Sequence, residues 1–553
     1  MHLIDYLVIA VFSLGIIVSG MSFQTSGKNT NSFFAAGGSV PWWINGLSLF
    51  MSFFSAGTFV VWGSIAYTNG WVSVTIQWTM AIAGFIIGFF IAPKWHKAKI
   101  LTAAEFITRR LGLNTQKIYS YLFLFVALFT TGGFLYPVAK IVEISTGINI
   151  TLCIIILGAI IILYTTIGGL WAVLVTDVLQ FIVLTAAVLI VVPLAFKKVG
   201  GLQNFIEQTP EGYFDFFSGE YTLGFVIAFG LYNLFFISGN WAYVQRYTSV
   251  PSAKDAKKVG YLFGSLYLIS PIIWMLPPMI YKVFNSELTG FGDEGAYLMM
   301  CKEVLPIGML GLMLGAMIFA TSSSVNTTLN IASGVITNDL YKNFKPKATE
   351  KELMRIARIS TVIFGIFTIL IALLIKDMGG IVEVVLSVAA ITGGALYLPP
   401  LWSLFSKLQT GKSILLITFL SLSINLFFKF FSPFLLNISL NRTEEIVLGV
   451  CTPISLLMLF EILLSTINKE SKSYKKYIAM QELLEYQKNK IKIDSNNQLE
   501  NKHGIKIISY GVLGTGLLIL LIGLFTNNGQ SLVVVAGAAV IIVGALIKKR
   551  NSD

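Results

Sequence analysis

The chain has 553 residues, of which 55% are hydrophobic and only 12% charged, about half the charged share of a soluble protein. That composition excludes a soluble enzyme, a disordered chain and a nucleic-acid binder, and leaves a polytopic membrane protein. The net charge of +12 fits the same class, because the cytoplasmic loops of membrane proteins collect Lys and Arg.

Fifteen apolar runs are candidate spans, at about 3–20, 41–66, 72–93, 117–146, 150–168, 173–195, 222–243, 259–284, 305–336, 357–376, 380–405, 413–432, 444–466, 506–526 and 531–548. Helices are expected, since the alternating pattern of a membrane barrel is absent. The first run carries Asp5 and has no basic residues before it, so it reads as a retained span and not a cleaved signal. In the second, LFMSFFSAGTFVVW, small residues admit two readings. A helix broken near Met51–Phe54 aims main-chain carbonyls at an ion; an unbroken one uses Ser55, Ala56 and Gly57 to pack closely.

Glu105 and Arg109 are spaced as an i,i+4 pair on an inner helix, and Lys140 and Glu143 as an i,i+3 pair at the outer end of span 4. Asp177, in WAVLVTDVLQF, is an isolated acid at the start of span 6, either a helix N-cap or a cation relay. Asn233 and Gly239 interrupt span 7 and suggest a second broken helix. In span 9, eight of the ten residues 321–330 are polar (TSSSVNTTLN). Back-bonding to the preceding turn explains one or two such hydroxyls. Eight make a set of hard, neutral oxygens suited to a small cation that must be bound and then released. Residues 467–505 read as a lysine-rich tether, with Tyr477, Met480 and Leu484 as the stripe of a surface helix in the alternative.

Cys153, Cys301 and Cys451, and His2, His96 and His503, are too scattered for a metal or redox site, and no catalytic constellation is present. An N-terminus outside and a C-terminus in the cytoplasm place about 31 of the 39 basic residues inside. The location expected is a bacterial plasma (inner) membrane, although Asn437 and Asn441 sit in formal glycosylation sequons.

Several motifs together resemble the sodium/solute symporter family: FFAAGGSVPWW entering span 2, the Ser55–Phe59 stretch, TAAEFITRRLG, YTTIGGLWAVLVTDVLQ, Gln245-Arg246 and TSSSVNTTLNIASGVITNDLYK. They cover roughly three quarters of the chain, and the two long motifs together are specific. The resemblance implies a LeuT-like fold of inverted five-helix repeats within an all-α protein of about 15 transmembrane helices. The first repeat then covers 41–195 (spans 2–6) and the second 222–405 (spans 7–11). Residues 1–40 hold the first span and an inner loop, 406–466 spans 12 and 13, 467–505 the cytoplasmic loop, and 506–553 a closing hairpin.

By the same resemblance, sodium falls on the carbonyls of Met51, Phe54 and Ala320 and the hydroxyls of Ser323 and Ser324. A second sodium or an exit path falls on Asn326, Thr327 and Asp177, with Asn326 replacing the family's usual serine. Solute contacts fall on Ser55, Thr58, Gln77, Thr130, Asn233, Phe236 and Tyr267. The pocket is more apolar than a sugar site and lacks the arginine of a sialic acid site. Sodium-coupled symport of a sugar- or polyol-like solute is therefore expected, with a monocarboxylate or sialic-acid-like solute as the alternative. Na+ is the cofactor implied; the partners are sodium ions, a small-molecule solute and the bilayer, and the working unit is a monomer. A solute sensor on the same fold needs an appended signalling domain, for which 467–505 is too short.

Overall fold

The computed structural model describes residues 1–22, 38–100, 102–164, 170–288, 290–467, 469–488, 495–526 and 529–552. The described chain is all-α. Among these residues eleven helices are long and apolar enough to cross a bilayer alone. A twelfth crossing is a bent pair, Leu223–Gly239 and Trp241–Thr248, whose axes turn by 61°. Runs 1 and 5 form the shorter apolar helices Leu3–Ser19 and Ile150–Ile162, and run 2 forms Trp42–Met51 and, after a break at 52–55, a second helical stretch in which a π-helical turn, Thr58–Trp62, runs into Gly63–Asn69. Each of the fifteen predicted runs thus finds a helix or a helix pair.

Burial separates the inner helices from the lipid-facing ones. Within the most apolar stretch of Met309–Thr337, 82% of residues are buried, against 22% for Gln530–Lys549. The hydroxyl-rich helix therefore lies at the centre of the bundle, where its polar side chains avoid lipid. Helices Val72–Lys97 and Ala253–Phe284 cross backbone to backbone. A Cβ on Gly260 would lie 2.6 Å from the Gly88 Cα, and one on Gly84 2.8 Å from the Gly264 Cα. Van der Waals contact between small faces drives association where lipid offers no hydrophobic gain. Asp5 ties the first helix to this centre: its carboxylate accepts the Gly308 and Gly311 amides at 2.7 and 3.1 Å, satisfying two orphan donors at the start of Met309–Gly334.

Three expectations need correction. Asn233 does not interrupt its helix; the chain turns at Gly239–Asn240, where Asn240 caps the next helix by accepting the Ala242 amide at 3.0 Å. A Cβ at Gly239 would meet the Tyr397 carbonyl at 3.0 Å, so the bend brings two backbones together. Asp177 is not an N-cap, since it lies inside Leu170–Lys198. Nor is 467–505 a plain tether. Lys472–Lys488 is helical and the next helix starts at Ser495. Tyr477 packs on Phe106 but Met480 is exposed, and the Leu484 side chain is outside the described residues, so no single apolar stripe is evident.

Candidate functional site

Four successive amides leave the helical ladder after Met51. Ser55 N–H donates to Thr58 Oγ1 (3.3 Å), Ala56 N–H to Thr321 Oγ1 (3.1 Å), Gly57 N–H to Ser55 Oγ (3.3 Å) and Thr58 N–H to the Ser55 carbonyl (3.0 Å). The carbonyls of Met51, Ser52 and Phe54 thereby lose the amide a helix would give them, while that of Phe53 receives the Thr58 hydroxyl. Irregular backbone at this depth is tolerated where it lines a cavity or binds something. Close packing does not explain Gly57: a Cβ there would meet only Ser55 Oγ within 4 Å, at 3.5 Å.

The hydroxyl-rich helix faces this break through Thr321, whose hydroxyl also donates to the Met317 carbonyl at 2.9 Å. Ser322, Ser324 and Thr328 likewise donate to carbonyls one turn earlier, those of Ile318, Ala320 and Ser324. A hydroxyl whose proton is spent on the backbone keeps its lone pairs, so these oxygens present as acceptors. The backbone of Ser323 continues the helix; its side chain lies outside the described residues.

Beside the break is a cavity of about 140 Å³. Six of the expected solute contacts line it: Ser55, Thr58, Thr130, Asn233, Phe236 and Tyr267. Its other walls are mostly aromatic or aliphatic, and among the described residues no Asp, Glu, Lys, Arg or His lines it. Gln77 does not reach the lining. It is buried, its amide donates to the Ser73 carbonyl at 3.2 Å, and its Oε1 has no protein partner. Asn233 is held by its own amide, which donates to Thr79 Oγ1 at 2.9 Å.

A second cavity, of about 40 Å³, is lined by Asp177, Arg246, Ser324 and Thr327. Met51, Phe54, Ala320 and Asn326 line neither space. Ser52, Thr130, Phe134, Phe236 and Tyr243 line both, and form the wall between them. Phe236 is central to that wall, with ring centres 6.1 Å from Phe53, 5.5 Å from Tyr243 and 5.1 Å from Tyr397.

Asp177, 4% exposed, and Arg246, 2% exposed, meet through Ser48. The Ser48 hydroxyl donates to Asp177 Oδ2 at 2.5 Å and accepts from Arg246 Nε at 3.0 Å. The bridge links three elements: Trp42–Met51, Leu170–Lys198 and Trp241–Thr248. Sequence reading missed Ser48, counted Thr321 only within the hydroxyl set at 321–330, and gave Arg246 no role. The available signal was Arg246 itself, since an arginine between apolar segments needs a partner. In the turn Gly290–Gly295, Glu294 accepts from the Tyr136 hydroxyl (3.1 Å) and the Ile381 amide (3.2 Å). Burial pushes its carboxyl above the ordinary range, although these bonds and nearby Lys140 act the other way.

Comparison with known proteins completes the picture. The model of the sodium:solute symporter family matches residues 33–415. Sodium/glucose cotransporter 1 of Mus musculus is 28% identical over 401 residues, 64% of this chain and 60% of its own length. The sodium/sialic acid symporter of Proteus mirabilis is 26% identical over 408 residues, 71% of this chain and 82% of its own. In structure, a substrate-bound, outward-open Na+-coupled sialic acid symporter superposes with a TM-score of 0.71 at 22% identity, covering 84% of this chain and 98% of that one. That likeness carries the LeuT-like fold, and the family match spans more than half of the chain. The chain belongs to the sodium:solute symporter family, multi-pass membrane transporters that couple a small-molecule solute to sodium.

Proposed function

We propose that this symporter carries a small neutral solute, of the sugar or polyol class, from the cavity beside the broken helix. The observation that carries this reading is the uncharged lining. A carboxylate there would find hydroxyls and an amide but no cationic side chain among the described residues, and burying a charge without such a partner is costly. Ser55, Thr58, Thr130, Asn233 and Tyr267 supply hydrogen bonds to hydroxyls of the solute, and Phe236 closes the cavity on the side of Asp177. Sodium binds the carbonyls of Met51, Phe54 and Ala320 with Ser323 and Ser324, and passes Asn326, Thr327 and Asp177 on its way out or at a second site. The freed carbonyls after Met51 and the acceptor hydroxyls on Met309–Gly334 support that assignment.

We also propose that 41–195 and 222–405 are the two inverted repeats. Each opens on an interrupted helix, Trp42–Met51 with Gly63–Asn69 in one and Leu223–Gly239 with Trp241–Thr248 in the other. Sodium then stabilises one arrangement of the repeats over the other, which is what coupling requires. The protein works as a monomer in the plasma membrane, N-terminus outside. At 100 mV one sodium contributes about 2.3 kcal/mol and a tenfold gradient about 1.4 more. Together these sustain roughly 500-fold accumulation of a neutral solute.

The test is uptake into proteoliposomes under an inward sodium gradient, across a panel of labelled polyols, hexoses and monocarboxylates. Uphill, sodium-dependent accumulation of a neutral member is expected. Accumulation of monocarboxylates alone would overturn the substrate class, and failure to accumulate any solute despite sodium-dependent binding would favour a sensor.

A further inference from the structure

A cavity of about 700 Å³ lies away from the transport path, where the helices Leu113–Thr146, Gly411–Leu426 and Lys472–Lys488 begin. One side of it is apolar, with Leu113, Leu415 and Leu464 in the wall. The residues next to these on the same helices, Leu416, Ile462, Leu463 and Ile467, are exposed apolar side chains on membrane spans and so face lipid. The other side is basic. Lys412 and Lys472 line it, both exposed, and neither has an ion-pair partner among the described residues. Glu470 also lines the cavity, but it is paired with Lys407 at 3.3 Å.

The placement of these lysines is unusual. Each stands in the first turn of a helix, where the dipole is already positive and a cation is unfavourable. The third helix starts after Gly112 without a side-chain cap, whereas the other two are capped, by Thr410 with Ser413 and by Ser471. Two unpaired ammonium groups and one uncapped helix start line the same space, and an anion there offsets both lysine charges at once.

We propose that this cavity binds one anionic glycerophospholipid from the leaflet that holds the basic loops, its phosphate between Lys412 and Lys472 and an acyl chain along Leu113, Leu415 and Leu464. The leucine wall distinguishes this from a site for a soluble phosphate, which gains nothing from apolar surface. Basic pockets between spans on this side of a bilayer suit such headgroups. The lipid joins the cytoplasmic helix to two membrane spans. Lys472–Lys488 is already fastened nearby, since Arg110 donates to Ser473 Oγ at 3.1 Å and Gln481 to the Ala98 carbonyl at 2.7 Å.

The experiment is native mass spectrometry of the purified full chain, titrated with phosphatidylglycerol, phosphatidylcholine or glycerol phosphate. Saturable binding of one phosphatidylglycerol is expected, with at least tenfold weaker phosphatidylcholine. Lys412→Gln with Lys472→Gln should lower phosphatidylglycerol affinity about 25-fold, at about fivefold per lysine. Lys254→Gln with Lys257→Gln removes as much charge from the same face of the protein and should change nothing. Leu464→Trp, which fills the apolar side, should weaken lipid binding and leave the headgroup preference intact. The proposal is overturned by equal binding of the two lipids, by glycerol phosphate binding as tightly as the lipid, or by equal losses in the two lysine pairs.

Discussion

Replacing Thr321 by Val tests whether the hydroxyl-rich helix shapes the break in span 2. Valine keeps the volume and removes the oxygen that accepts the Ala56 amide at 3.1 Å. Thr321 is fully buried, so that amide is left without its acceptor in a dry site, at a cost of about 1–3 kcal/mol. The bond belongs to the arrangement in which the Met51 and Phe54 carbonyls are free, so on the sodium assignment proposed above the cost falls on the sodium-competent state. The sodium concentration for half-maximal uptake should therefore rise about 5- to 150-fold. Thr321→Ser restores the oxygen and should stay within a few-fold of the parent. The assay is initial uptake against external sodium at saturating solute, with the three proteins at equal reconstituted amounts. If valine leaves the sodium dependence unchanged while uptake persists, or if serine is as impaired as valine, the break is not held in this way.

Ser323→Ala with Ser324→Ala should raise the half-saturating sodium concentration by tenfold or more, about 1.4 kcal/mol, in the same assay; unchanged dependence rejects these hydroxyls as ligands. Asp177→Asn removes the negative charge that Arg246 faces through Ser48 and should slow turnover, with a loss of stability of about 3–5 kcal/mol. Asp177→Asn with Arg246→Gln should recover part of that stability in a denaturation series; a double variant as unstable as the sum of the singles would show no coupling. If Asp177 also serves a second sodium, the Hill slope for sodium falls to one in the Asn variant. Glu294, with its carboxyl raised by burial, binds its proton more tightly folded than unfolded. Its contribution to stability is present below the ordinary glutamate value of about 4.3 and is lost as pH rises through the folded value. Thermal melts between pH 4 and 7 should show that decline, and Glu294→Gln should flatten it; an unaltered profile removes Glu294 as its source.

Much of the architecture was legible because a bilayer imposes one long-range rule on every span. Apolar length located fifteen elements. The break in span 2 left its own mark, since MSFFSAGT combines small residues with hydroxyls able to take over freed amides. Side-chain partnerships were less accessible. Ser48, Asp177 and Arg246 are separated by 129 and 69 positions, and no spacing rule connects them. For Asp177 an isolated acid before an apolar run resembles a cap, and only the extension of its helix back to Leu170 removes that reading. Gln77 fell outside the cavity because a helix turn decides which of its faces reaches the centre, and period alone does not fix rotation to within one side chain.

The partition between the two inner cavities is one layer of side chains thick, and the same five residues front both. On the transport path proposed above, selectivity and leak-tightness therefore reside in the same side chains. Trimming a ring there to admit a bulkier cargo also thins the barrier that keeps the gradient from dissipating. Attempts to broaden what this transporter carries should then sacrifice concentrating power before they sacrifice affinity, unless the enlargement is made on the side of Val384 and Val388, which front the larger cavity alone.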